Sequence, residues 1–296
     1  MNIGSVATRA KMRVEVARAD HSFVDIAVRT FKRYSADDGG SYAAALTYYT
    51  FFSIFPLLLF GASIMGWITQ GNEELRGRLL TSSIDAIPLL RDVLSPNGLK
   101  IIETNKGSLA LTGAAMALYA GTGAIIALQH ALNKVYRVSD EPNFFQKRLK
   151  ALMWLGIFGS AGILSIGLSA GAGFAAGDNT LLVPLLGIAA GLVVSTFIFA
   201  TAFKVLPGKT IAWREALPGA IVAAVCFEAL KFFGSAYLAR GETMRNDTFG
   251  TFAAAAGLLV ASYLISQITL MSAEVNAALA ERRVTRQSSQ QDKEDR

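Results

Sequence analysis

Apolar residues in this chain do not alternate with polar ones. They come in long blocks separated by short polar stretches. Five blocks, 42–68, 107–132, 151–177, 179–203 and 248–273, contain no Asp, Glu, Lys or Arg. A sixth, 216–239, matches them in length but carries two charges, Glu228 and Lys231. A helix of roughly 20 apolar residues crosses about 30 Å of hydrocarbon, whereas a membrane β-strand is about half as long and alternates in polarity. The pattern therefore predicts an all-α fold, a bundle of six transmembrane helices within a membrane domain over 42–280.

The flanks read differently. In the N-terminal segment, 1–41, apolar Val14, Ala17, Val24, Ile26 and Val28 are mixed with Arg13, Arg18, Arg29, Lys32 and Arg33, the pattern of an amphipathic helix over 5–34. Such a helix can lie on anionic headgroups or cap the end of the bundle, and both readings stay open. The run Asp37-Asp38-Gly39-Gly40 breaks the chain before the first span. The connection 69–106 places Leu75, Leu79, Leu80 and Ile84 at helical spacing, so short outer helices are expected there. The tail 281–296 is polar, lacks apolar anchors and is expected to be disordered.

Composition supports the membrane reading. Only 17% of residues are charged and 52% are hydrophobic, against about 25% charged in a soluble domain, and the mean hydropathy is +0.41. The 28 basic residues are placed unevenly. Twenty fall in the N-terminal segment, the loops 133–150 and 204–215, and the tail; seven fall in the other connections. The positive-inside rule then puts both termini in the cytoplasm, as an even number of spans requires. Basic residues crowd the start of the chain without the shape of a cleavable signal, so the first span is expected to stay in the mature protein. The single cysteine, Cys226, leaves no partner for an intramolecular disulfide.

Candidate chemistry lies inside the spans. Glu228 sits twelve residues into the fifth, about 18 Å along it at 1.5 Å per residue, and Lys231 shares its face three residues on. A charge at that depth costs roughly 2.5–3.5 kcal/mol on insertion scales and usually faces the bundle interior or water. The pair is either a self-satisfied structural device or part of a polar cavity. Gln129 and Asn133 lie four apart on helix 2, with His130 beside them. Tyr263, Gln267, Met271 and Glu274 form one stripe on helix 6. Helix 1 adds Tyr48, Tyr49 and Ser53, and its Pro56 removes a backbone hydrogen bond and predicts a kink or hinge. These positions could ring a cavity open to the cytoplasm between helices 1, 2, 5 and 6. The small-residue motif Gly167-x-x-x-Gly171 in helix 3 favours close helix packing.

Four blocks, "AAALTYYTFFSIFPLLLF" (43–60), "GTGAIIALQHALNKVYRV" (121–138), "WREALPGAIVAAVCFEALKFFGSAYL" (213–238) and "FGTFAAAAGLLVASYLISQITLMSAEVNAAL" (249–279), resemble the YihY/BrkB family of bacterial inner-membrane proteins. Two departures are mild: Phe249-Gly250 stands where the family usually has Tyr-Gly, and Ser272-Ala273-Glu274 where it usually has Gly-Ala-Glu. The resemblance implies a six-helix protein of the inner membrane. Members are linked to serum resistance and virulence, and some are discussed as transporters, with no agreed substrate. The label "ribonuclease BN" carried by the family is generally regarded as a misassignment.

The residues argue the same way. A nuclease needs a cluster of His and carboxylates for metal, or a His-based acid/base pair. This chain has two histidines, His21 and His130, and no metal cluster. We expect no enzyme activity, no cofactor, no metal and no nucleic-acid partner; the partners expected are membrane lipids and a small solute. No phosphate-binding loop of the G-x-x-x-x-G-K-[ST] type is present, so transport would be secondary. Glu228 or Glu274 would carry protons and Lys231 would contact a small polar or anionic solute. The alternative is a non-transporting scaffold or envelope-resistance factor, in which the pair only sets helix register.

Overall fold

An apolar segment in a bilayer must bond its own N–H and C=O groups, and a helix does so within one segment. The computed structural model, which describes residues 22–68, 96–138, 145–157, 182–248 and 250–294, follows that rule: every regular element among the described residues is an α-helix. In chain order they are α1 (Ser22–Ala36), α2 (Gly39–Ile68) and α3 (Pro96–Val135), α4 (145–157), then α5 (Leu182–Val205), α6 (Trp213–Thr248) and α7 (Gly250–Glu294). Three stretches among the described residues, Gly107–Val135, Gly187–Val205 and Ala255–Val284, are long and apolar enough to cross a membrane. The third predicted span is described only to residue 157. Gly167, Gly171 and His21 lie outside the described residues.

Local chemistry sets the ends. Asp25 in the first turn of α1 and Arg33 in its last complement the helix dipole. Pro96 opens α3, where its missing N–H costs nothing. α3 closes with a Schellman motif: Val138 N–H donates to the Asn133 carbonyl at 2.9 Å and Arg137 N–H to that of Lys134 at 3.1 Å. Arg137 takes the left-handed position usually given to glycine, with φ 53°. Between α1 and α2, Asp38 is also left-handed, φ 55°. A Cβ on the next residue, Gly39, would lie 2.3 Å from the Tyr34 ring, so any larger residue there would displace that ring at the turn between α1 and α2.

α2 packs on α3, α5 on α6, and α7 lies against α6, α2 and α1. The main core gathers Leu132 of α3, Trp154 of α4, Phe203 of α5, and the alanines Ala216, Ala220 and Ala223 of α6 with Ala273 and Ala277 of α7. Alanine on both α6 and α7 lets those helices approach closely, which matters where hydrophobicity itself drives no association. Apolar side chains also face outward: Leu111, Tyr119, Val193, Phe197 and Val260 are exposed, while Thr47, Gln129, Ser262, Ser266 and Glu274 are buried. Greasy outside and polar groups inside is the distribution of a protein solvated by lipid.

Pro56, where a kink is expected, lies inside the continuous helix α2. Two expectations change. Residues 96–106, expected to belong to an outer loop, form the start of α3. The tail expected to be disordered continues α7 as helix to Glu294; the packing of α1 against α7 gives that helix an apolar and ionic partner that no local composition announces.

Candidate functional site

Glu228 and Lys231 do meet. Lys231 Nζ lies 2.5 Å from Glu228 Oε1, with the lysine side chain 49% exposed and the glutamate 15%. Ser195 of α5 donates to the same oxygen at 3.2 Å. A Cβ on Gly191, one turn earlier in α5, would stand 2.9 Å from it. Lys231 also rests over the Phe227 ring, 5.2 Å from its centroid. The carboxylate is thus seated against α5.

The other predicted residues are divided. Tyr48 and Tyr49 are 58% and 37% exposed and stack edge to face. Tyr49 lies against the bare backbone of Gly123, where a Cβ would approach its ring to 2.7 Å. Ser53 turns back to the Thr50 carbonyl, and His130 Nε2 lies 3.4 Å from Lys147 Nζ. Gln267 is half-buried, and Tyr263 packs against Ala43 and Leu270. Gln129 and Asn133 are buried on one face of α3. Asn133 Oδ1 accepts from Gly208 N–H at 2.8 Å, whereas Asn133 Nδ2 and Gln129 Nε2 are buried without a hydrogen-bond partner. An open depression of about 610 Å3 is lined by Gln146, Leu149, Lys150, Leu152 and Met153 of α4.

The densest polar chemistry surrounds Glu274, only 1% exposed. Its Oε2 accepts from Arg33 Nε at 2.8 Å. The same guanidinium donates from Nη2 to the Val135 carbonyl at 2.9 Å and from Nη1 to Glu281 at 3.2 Å. It therefore binds α1 to the last residue of α3 and to two turns of α7. The Asp37 carboxyl neighbours that of Glu274. Removing one partner of such a buried pair costs about 3–5 kcal/mol, because an uncompensated charge is left behind.

Asn276 completes this end. Its Oδ1 accepts from Gly219 N–H at 2.6 Å, and its Nδ2 donates to the Ala216 carbonyl at 3.0 Å and to Tyr136 Oη at 3.4 Å. Pro218 stands between those two backbone groups and disturbs the helix's own ladder; one side-chain amide bridges the disturbed turn. Burial pushes the Tyr136 phenol up to about 12, with the Glu274 and Glu215 carboxylates acting in the same direction and the Asn276 bond against it.

Sequence reasoning missed Arg33 and Asn276. Arg33 was one of several bases on a helix read as either lying on headgroups or capping the bundle, with nothing to single it out. For Asn276 a signal existed: Leu217-Pro218-Gly219 inside an apolar span leaves backbone groups in need of a polar partner. Among the described residues no group of three or more His, Cys, Asp or Glu is placed to hold a metal ion.

A lipid-solvated bundle of long helices with polar side chains turned inward defines a helical membrane protein. The family model "Virulence factor BrkB" matches residues 30–296, and the chain belongs to that family. It is similar to the UPF0761 membrane protein Nmul_A0452 of Nitrosospira multiformis, 25% identical over 80% of this chain and 57% of that protein. It is also similar to the UPF0761 membrane protein RSc1559 of Ralstonia nicotianae, 28% identical over 85% of this chain and 59% of that one. A ribonuclease-like protein of Bacillus subtilis, YfkH, is 23% identical over 86% of this chain and 94% of its own length. The chain thus spans less than two thirds of the first two relatives. No solved structure matches it.

Proposed function

We propose that this chain is a secondary transporter or exporter of a small polar or anionic solute in the bacterial inner membrane, with six spans and both termini in the cytoplasm. One observation carries the proposal: the ion pair of Glu228 and Lys231 lies well inside the long helix α6 with the lysine half-exposed. A pair serving only register gains nothing from leaving its cation reachable, and intramembrane charges generally mark solute or ion pathways. The buried donors of Gln129 and Asn133, which lack protein partners, add support, since buried polar groups are otherwise nearly always bonded. In this reading Lys231 contacts the solute and Glu228 or Glu274 carries protons. The inward-facing cavity between spans 1, 2, 5 and 6, with Gln267, Tyr48 and Tyr49 on its wall, belongs to a conformation more open than this one.

The seating of Glu228 on Ser195 and against Gly191 favours a second reading, a scaffold in which the pair sets the register of α5 and α6. Proteoliposomes separate the two. Potassium salts of chloride, phosphate and acetate are presented with valinomycin, and swelling is followed by light scattering. The transport reading expects one anion to enter faster than into empty liposomes, and Lys231→Met to abolish that entry while leaving a monodisperse protein. No anion flux, with loss of folded protein in Lys231→Met, would establish the scaffold instead.

A further inference from the structure

We propose that Gln129 and Asn133 form a buried binding site for a small inorganic anion, of the size of chloride or nitrate. Both residues lie deep in the bundle, 2% and 4% exposed. They stand four apart in α3, on one face of the helix with Cβ atoms about 5–6 Å apart, so a single acceptor can reach both amides. The polar atoms left over, Gln129 Nε2 and Asn133 Nδ2, are donors buried without a hydrogen-bond partner. The Asn133 amide is fixed in that sense, because its Oδ1 accepts from Gly208 N–H at 2.8 Å. Buried polar groups are nearly always bonded, and two neighbouring exceptions on one helix face call for an occupant.

The donors select the occupant. Amide N–H groups offer a cation no ligand. A water accepts from both but must give away its own two protons, and the unpartnered atoms, both donors, take neither. An anion accepts and donates nothing. The end of a helix normally repels an anion through its unpaired carbonyls, but those of α3 are occupied. The Leu132 carbonyl accepts from Tyr136 N–H, that of Asn133 from Val138 N–H and that of Lys134 from Arg137 N–H, while that of Val135 accepts from the Arg33 guanidinium. Bases stand alongside: Lys134 lies in the last turn of α3, and Lys147 of α4 reaches His130, the residue beside Gln129. The site gives the transport reading above a solute class, a small inorganic anion. As a step in transport it rests on that reading; as a binding site it does not.

Thermal unfolding of the purified protein tests it, with chloride or nitrate replacing gluconate at constant ionic strength and pH. The midpoint is expected to rise and saturate, as it does when a ligand binds only the folded state. Gln129→Met keeps the volume and removes the donor. Asn133→Asp keeps the acceptor for Gly208 and puts a carboxylate oxygen where the other donor was. Each is expected to weaken the apparent affinity about tenfold or more. No saturable shift in the parent protein, or the parental shift in Gln129→Met, overturns the proposal; should Asn133→Asp fail to fold, those two results decide it. Saturable binding without anion flux in proteoliposomes keeps the site and removes the transport reading. Flux without saturable binding removes the site and leaves transport standing.

Discussion

Replacing Asn276 by Ala tests how this end of the bundle is held. In the intact protein the Asn276 amide accepts from Gly219 N–H at 2.6 Å and donates to the Ala216 carbonyl at 3.0 Å. Both backbone partners and Asn276 itself are buried. Truncation removes the side-chain partner of Gly219 N–H, the group next to Pro218, whereas the Ala216 carbonyl keeps its place in the ladder of the continuous helix α6. One buried donor losing its partner costs about 1–3 kcal/mol. Side-chain bonds between membrane helices average only about 0.6 kcal/mol in measured cycles, because the unfolded segment finds other partners. The Asn276 bond to Gly219 N–H goes to a main-chain group of the turn that Pro218 disturbs, and the larger figure applies. Denaturation of the purified protein in mild detergent measures the loss. Asn276→Asp keeps the acceptor but turns an oxygen toward the Ala216 carbonyl, and is expected to fall with Asn276→Ala. A loss below about 0.5 kcal/mol in Asn276→Ala, less than a single typical hydrogen bond, would refute the bridge as the element joining α6 to α7.

Gly219→Ala places a Cβ 2.2 Å from the Ser272 carbonyl; overpacking of this kind costs about 1–3 kcal/mol or more, so the variant should lose thermal stability and yield, and an unchanged melting temperature counts against the close approach of α6 and α7. Glu228→Gln strands Lys231 in an apolar segment and should destabilise more than the double change Glu228→Gln with Lys231→Met, a coupling read from a double-mutant cycle; additive losses would mean the two side chains do not interact. The raised Tyr136 pKa carries a sign. The unfolded chain releases this proton near 10 and the folded chain near 12, so the stability it contributes is intact below pH 10 and declines as pH rises from 10 toward 12. Tyr136→Phe should flatten the part of the stability–pH curve above pH 10, and an unchanged slope there would contradict the burial of the phenol.

Block length and charge placement in the sequence determined that this chain is helical and lies in a membrane. A run of twenty or more apolar residues has one stable backbone solution in hydrocarbon, and no tertiary detail alters it. The charged pair of α6 was legible too, because residues three apart on a helix meet whatever surrounds them. Which face of each helix turns inward was not legible. In a soluble helix the apolar stripe marks the core, but here lipid and core are equally apolar, so the sequence gave no sign that Tyr49 would pack on the bare backbone of Gly123 while its neighbour Tyr48 stays mostly exposed. Nor did Arg33 differ, along the chain, from the bases around it. Its partner Glu274 is 241 residues away and meets it because the turn at the left-handed Asp38 brings α1 against α7. Asn276 became a structural residue for the same reason, when packing brought it to a turn that Pro218 had opened. Tertiary structure alone decided these pairings: a buried polar group must find a partner in space, and periodicity in a uniformly apolar helix does not say where that partner is.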